Sequence, residues 1–454
     1  MPAPPAGYRW RLAALSLTML LPSLGISVAN VALPNLRAAF DVSNQEVQWT
    51  IIVYLVVVTS FLVTAGRLGD LLGRRRALLA GIGIFSVAAL GAVFASSFWV
   101  IVAARAIQGI GAAMMMSLTV AAVGDSVPEG KSGAAMGLLG TVSAIGTAAG
   151  PSLGGILVGG LGWASVFLLM AGAGLFAGLF VHAQLPPETA ARRRPAFDAP
   201  GAMLLMISVA GFALATTLSP VGFVNGLLAG LATLSAAAFV RVESRASAPL
   251  VQLQMLANPP LAAGLLAIAS VSAIVMTTLV VGPFYLTGVL GLDTPAAGLV
   301  MSVGPTVSAL AGIPAGRIVD RHGPRAAVPL GLAVVLAGAI AMTLLPGTVG
   351  VAGYVGSLVL ITSGYALVQA AESTALMASA ERERRGVTSS LLALGRNVGF
   401  IAGASAMGAL FSLGSGGAAH ASESGLKLAF AASAVLAVLA LSASVSTARK
   451  TQGI

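Results

Sequence analysis

Apolar runs of roughly 20 residues recur along the chain, separated by short polar segments rich in Gly, Pro and Arg. An α-helix needs about that many apolar residues to cross the hydrocarbon of a bilayer. The pattern predicts fourteen such helices, over about 12–33, 48–66, 77–95, 98–123, 134–158, 163–183, 199–218, 222–241, 260–285, 296–316, 325–345, 350–373, 387–412 and 426–446. The first run follows Arg9 and Arg11 as a secretion signal would, but it continues to about Pro34. That exceeds the ~7–15 residues of a signal core, so it reads as a retained helix.

Charge orients these spans. Positive-inside retention places both termini in the cytoplasm. Of the 24 Lys and Arg residues, only Arg37 and Lys427 then fall outside, and Arg105 and Arg396 lie within spans. Trp10, Trp49, Trp99 and Trp163 fall at span edges, where amphipathic rings prefer to sit. Composition agrees: 57% of residues are hydrophobic and 8% charged, against about 45–50% and about 25% in soluble domains. The net charge of +10 resides in short loops without interleaved aromatics, so nucleic acid is not an expected partner. There is no cysteine, and His182, His322 and His420 are scattered. No metal, cofactor or enzyme constellation emerges, and no catalytic residue is assigned.

The most informative polar segment is Gly66-Arg67-Leu68-Gly69-Asp70-Leu71-Leu72-Gly73-Arg74-Arg75-Arg76. A weaker copy follows 250 positions later, Gly316-Arg317-Ile318-Val319-Asp320-Arg321-His322-Gly323-Pro324-Arg325. In both, Asp follows Gly by four, and a second Gly follows Asp by three. Gly133, Leu138, Leu139, Gly146 and Gly150 likewise match Gly386, Leu391, Leu392, Gly399 and Gly403. An internal repeat follows: an all-α membrane protein with six helices in 1–185, a two-helix insert in 186–258 and six helices in 259–454. The two segments read as basic loops in which Gly69 and Gly73 permit a tight turn and close helix approach. Asp70 does not serve retention, and a charge-assisted bond in one conformational state is its expected use.

Three further features stand out inside spans. Gly146, Gly150 and Gly154 recur every four residues, with Pro151 and Gly155 among them. They form a flat packing face with a kink expected at Pro151. Arg105, in Arg105-Ala106-Ile107-Gln108-Gly109-Ile110-Gly111, is costly in a membrane and suggests function, with snorkelling to the outer interface as the alternative. Arg396 is too deep to snorkel easily and needs an anion, water or substrate. The acids nearest the membrane are Glu372 and Asp125.

With these motifs the chain resembles the major facilitator superfamily, in particular its fourteen-helix drug:proton antiporters. Gly66–Arg76 is similar to the signature between helices two and three, Arg105–Gly111 to the helix-four signature of proton-coupled members, and Gly146–Gly155 to the helix-five antiporter motif. Gln48-Trp49 with Tyr54, and Pro283-Phe284-Tyr285-Leu286, extend the likeness. One departure is Leu24-Gly25-Ile26-Ser27-Val28-Ala29-Asn30-Val31-Ala32-Leu33-Pro34, where Gly25 stands in place of the family's first-helix Asp.

The resemblance implies two bundles rocking about a central cavity, and export of small hydrophobic molecules, drug or secondary metabolite, by proton antiport. The expected partners are a small-molecule substrate, protons and the lipid bilayer, with the chain a monomer in a bacterial inner membrane. Gly66, Asp70, Gly73, Arg74, Arg75, Asp320 and Arg321 are the expected conformational switch. Arg105, Glu372 and Asp125 are candidates for proton coupling, and Asn30, Gln108 and Arg396 for the cavity. The glycines of spans five and ten (Gly304, Gly312, Gly316) are the expected sliding surfaces. The alternatives are an uncoupled metabolite facilitator and a non-transporting receptor on the same fold.

Overall fold

The structure, a computed structural model, describes residues 8–126, 132–186, 198–217, 222–246, 258–379, 385–416 and 422–452. Lipid offers no partner for backbone N–H and C=O groups, so a chain this apolar satisfies them within helices. The helices are α1 (Tyr8–Phe40), α2 (Asn44–Leu72), α3 (Arg74–Val93), α4 (Phe98–Ser126), α5 (Ser132–Leu161), α6 (Ala164–Gln184), α7 (Ala199–Thr217) and α8 (Phe223–Glu243). They continue as α9 (Pro259–Gly288), α10 (Thr294–His322), α11 (Pro324–Leu344), the single turn α12 (Pro346–Val349) and α13 (Val351–Ser379). After α14 (Arg385–Ala402), a π-helical segment (Gly403–Met407) leads into α15 (Gly408–Gly414), and α16 (Glu423–Gln452) ends the fold.

Among the described residues, 13 helices are long and apolar enough to cross a membrane. The described apolar part of α5 is the shorter Ile145–Leu161. Val87, Phe176, Leu234 and Leu310 are 63–72% exposed, as bulky side chains are when their solvent is hydrocarbon. The chain is a multi-pass membrane protein.

The packing repeats. In the first half α1 lies on α5, α4 on α2 and α3, and α3 on α6; in the second, α9 lies on α14, α13 on α10 and α11, and α11 on α16. The halves meet chiefly where α5 crosses α10, with further contacts of α1 on α9 and α2 on α14. Helices α7 and α8 pair with each other, α7 resting on α2 and the π-helical segment. Phe239 of α8 packs on Leu265 and Leu394.

Turn chemistry repeats at the same spacing. Gly73 (φ 85°) and Gly323 (φ 77°) end the two signature segments in the left-handed region that glycine favours. Asp41 (φ 51°) and Gly291 (φ 68°) turn the chain ahead of α2 and α10. Ser43 then caps α2 in a capping box, donating from its N–H to Glu46 Oε2 (2.8 Å) and accepting from the Glu46 N–H (3.1 Å). Asp293 caps α10, its Oδ1 accepting from the Ala296 N–H at 2.8 Å. The signature segments differ from their expected form as loops. Gly66–Leu72 is the last part of α2, and Gly316–His322 the last part of α10, so only Gly73 and Gly323 break the helices. Leu and Ile carry the helical period across both segments, and Gly69 serves helix approach instead of a turn: a Cβ there would meet Leu118.

Apolar burial drives little association between helices in lipid, so close approach at small residues takes its place. A Cβ on Gly111 would lie within 2.6 Å of the Gly81 carbonyl oxygen and the Phe85 nitrogen, and one on Gly364 within 2.6 Å of the Gly331 oxygen. The same crossing is thus built twice, α3 on α4 and α11 on α13. Hydroxyl pairs add to it in the first half: Thr18 with Thr119 and Ser23 with Ser143, each at 2.6 Å.

Overpacking of a tight contact costs about 1–3 kcal/mol, so Gly111→Leu is expected to lower the melting temperature of the purified protein in detergent. Gly83→Leu, with nothing within 4 Å of the added carbon, is expected to leave it unchanged. Equal melting of the two variants would remove the crossing from the list of what holds the fold.

Candidate functional site

A cavity of about 220 Å³ lies between the halves. Met19, Met116, Met276, Met301, Leu55, Leu279, Leu358 and Phe400 give it an apolar wall, and its polar atoms come from residues such as Ser23, Ser143, Thr147, Thr278, Thr362, Tyr354, Tyr365, Gln369 and Asn397. Among the described residues lining it, Arg396 is the single charged one. The walls come from α1, α2, α4 and α5 on one side and α9, α10, α13 and α14 on the other. A mostly apolar pocket with few polar groups is the usual form of a small-molecule site.

Arg105 lies elsewhere. It is wholly buried, with Nε donating to the Thr50 carbonyl (2.9 Å), Nη1 to Gln108 Oε1 (2.6 Å) and Nη2 to the Gly25 carbonyl (3.0 Å). Its Cζ stands 4.0 Å above the Tyr54 ring, and Tyr54 Oη donates to the Pro22 carbonyl at 3.0 Å. The guanidinium therefore turns into the bundle and joins α4 to α1 and α2. Backbone oxygens take the place of a carboxylate here. A Cβ on Gly25 would meet Met170, Phe85 and the Tyr54 hydroxyl at 3.4–3.5 Å, ordinary contact distances.

The other expected cavity residues are placed outside its lining. Gln108 is held by Arg105 and by Met170 Sδ (3.5 Å). Asn30 donates to the Ile26 carbonyl of its own helix at 2.8 Å. Arg396 is different: its Nε is buried without a partner, and no hydrogen bond or ion pair reaches it from the described residues.

Glu372 is 6% exposed, in α13 one turn beyond the cavity residue Gln369. Its carboxylate fills the space a Cβ on Gly264 would take, and it makes no hydrogen bond or ion pair among the described residues. The side chains of Asp125, Gly66 and Asp70 lie outside the described residues. Arg74 donates to the Ala121 carbonyl near the end of α4 (2.9 Å), where the helix dipole favours a cation. Arg75 donates to the His182 carbonyl of α6 (2.8 Å). Asp320 and Arg321, in the second copy, are exposed.

The helix-five glycines face two ways. Gly146, Gly150 and Gly154 pack on Leu20, Ser27 and Val28 of α1, whereas Gly155 and Gly159 meet Thr294, Pro295 and Gly298 of α10. The Pro151 carbonyl also faces Gly298, and α5 runs through Pro151 as one helix. Contact between α5 and α10 is thus made at Gly298, and the expected sliding surface is corrected on the α10 side. Gly304 packs on Leu358 and Thr362 of α13, and Gly312 and Gly316 have nothing within 4 Å.

The family model of the Major Facilitator Superfamily matches residues 15–404. The uncharacterized transporter YebQ of Escherichia coli is 27% identical over 94% of this chain and 92% of its own length. The multidrug efflux pump LfrA of Mycolicibacterium smegmatis is 28% identical over 88% of this chain and 80% of its own. Among solved structures, a bacterial homolog of the human lysosomal transporter Spinster, inward-facing and unoccupied, superposes with a TM-score of 0.73 over 98% of both chains at 17% identity. That likeness is one of fold.

Replacing Arg105 would leave the buried Gln108 Oε1 without its donor, an orphan that costs about 1–3 kcal/mol, and would remove the ties to the Gly25 and Thr50 carbonyls. Arg105→Met and Arg105→Lys are both expected to lower the melting temperature, since a lysine's point charge does not reproduce the fork. The exposed Arg76→Met is expected to melt as the parent does, and melting of all three alike would deny Arg105 its joining role.

Proposed function

The chain belongs to the Major Facilitator Superfamily, and from that premise we propose that it exports small, largely apolar molecules by alternating access, in exchange for protons. The observation that carries the reading is the mostly apolar cavity bounded by both halves. Its similarity to a multidrug efflux pump over most of its length supports export.

In this reading α5 is counted as a span with the thirteen others, giving fourteen. Residues 1–185 and 259–454 form the two moving bundles, and 186–258 carries the inserted pair. Both termini are cytoplasmic, and the protein works as a monomer in a bacterial inner membrane. The α5–α10 contact then lies on the outer side of the cavity and closes it there. Asp70 holds one end state together with Arg74 and Arg75, which donate to the Ala121 and His182 carbonyls of neighbouring helices.

Glu372 is the proposed proton carrier. Gly25 removes the first-helix acid, Arg105 is occupied by fixed acceptors, and Glu372 is a buried carboxyl one turn from the cavity. Substrate added to energised inside-out vesicles is expected to release protons, and Glu372→Gln is expected to abolish that release without lowering the amount of protein in the membrane. Substrate flux that follows its own gradient, with no proton movement, would discard antiport. The uncoupled facilitator would then take its place, a reading that Gly25 favours.

The chain has no cysteine, so a single pair can be cross-linked without background. Asn35 Oδ1 of α1 and Thr294 Oγ1 of α10 stand 3.5 Å apart between the halves, beside the α5–α10 contact. Oxidising the Asn35→Cys and Thr294→Cys pair to a disulfide with copper phenanthroline is expected to stop transport, and reducing that disulfide with dithiothreitol to restore it. Undiminished transport with the bridge in place would rule out opening at this contact.

A further inference from the structure

Arg105 and Arg396 lie inside the apolar spans Phe98–Val123 and Leu392–Gly414, and the structure treats them in opposite ways. Arg105 has three acceptors and an aromatic face, and it is sealed from the cavity. Arg396 lines the cavity, and none of its donors is taken up by a described residue. No carboxylate appears among the lining residues to neutralise it. Glu372, on the neighbouring helix, is turned to Gly264 and makes no ion pair with it.

A guanidinium kept in an apolar wall without a counter-charge is expensive, and such residues are retained where they meet something passing through. The planar fork suits a carboxylate or a similar flat anion, which it can bind by two parallel bonds. In the same lining, Phe400, Met276 and Leu279 offer apolar surface, enough for one or two rings beside the charged end in about 220 Å³.

We propose that the cavity selects cargo carrying an anionic group on an aromatic or aliphatic body, with Arg396 as the counter-charge. This rests on the transporter reading and names its substrate class. An anion leaving a cell whose interior is negative is helped by the membrane potential itself, which lessens what proton coupling must supply.

The test uses the full-length protein in phosphatidylcholine nanodiscs and in liposomes of the same lipid, with three probes that share a ring system: naphthoate, naphthamide and naphthylmethyl-trimethylammonium. Equilibrium binding is expected to favour naphthoate over the ammonium probe by about tenfold or more, the size of one charge-assisted bond. Arg396→Gln is expected to bring naphthoate down to the level of naphthamide while leaving naphthamide unchanged. Arg396→Lys, which keeps the charge and loses the fork, is expected to fall between. A preference for the ammonium probe, or naphthoate binding that Arg396→Gln does not weaken, or no naphthoate binding at all, would overturn the inference. Uptake into the liposomes is read separately. Naphthoate bound through Arg396 but never accumulated would leave this inference standing and remove the transport reading on which its use depends.

Discussion

In hydrocarbon an apolar side chain gains little by leaving lipid for protein, so helices cohere where their backbones come close enough for dispersion and weak polar contacts to add up. Everything else in this structure depends on that closeness. Gly81 with Gly111, and Gly331 with Gly364, bring two helix pairs to backbone contact. Gly146 and Gly150 do the same for α5 on α1, and Gly399 of α14 and Gly403 of the π-helical segment do so on α9, where added Cβ atoms would meet the backbone of Ala269 and Ala273. The cavity is the space left where such approach is absent, lined by side chains as long as methionine and tyrosine.

Electrostatics is arranged with similar economy. A charge in this setting must be satisfied, neutralised or used. Arg105 is satisfied by helix carbonyls and an amide, at the cost of tying α1, α2 and α4 into one unit. Arg74 and Arg75 each donate to a carbonyl near the ends of α4 and α6. Arg396 and Glu372 are not satisfied by described neighbours, and both belong to the second half.

Much of this was legible in the sequence because it depends on period and spacing. Apolar runs located the helices, and the copies 250 residues apart located the repeat. Glycines at four-residue intervals marked the α1–α5 face. Arg396 was visible because a deep cation is conspicuous among apolar residues. The rest was hidden for physical reasons. The Gly25 and Thr50 carbonyls that hold Arg105 belong to the backbone and leave no trace in residue type. Met19, Met116, Met276 and Met301 carry no distinguishing signal in a chain this rich in apolar residues. Gly66–Leu72 looked like a loop because charge and glycine are loop-like, whereas a helix continuing past the apolar stretch keeps its hydrogen bonds and tolerates both. Asn30 and Gln108 were expected in the cavity for their polarity alone, which does not say which way a helix faces.

The π-helical segment Gly403–Met407 carries a consequence for the seam between the halves. The copies of the repeat are 253 residues apart at Gly150 and Gly403, and 254 apart at the left-handed glycines Gly162 and Gly416. One residue has entered the second copy in this stretch, and a π turn is how a helix absorbs one without breaking. Just beyond it, Gly408 meets Gln48 of α2 as Gly155 meets Gly298 of α10. The two seams are therefore of unequal kind. Parting α5 from α10 separates backbone from backbone and gives up dispersion alone. Parting α15 from α2 uncovers a Gln48 amide that has no partner while the seam is shut, so arriving water repays part of the cost. A chain built from two copies of one unit has in this way acquired a tight edge and a wettable one.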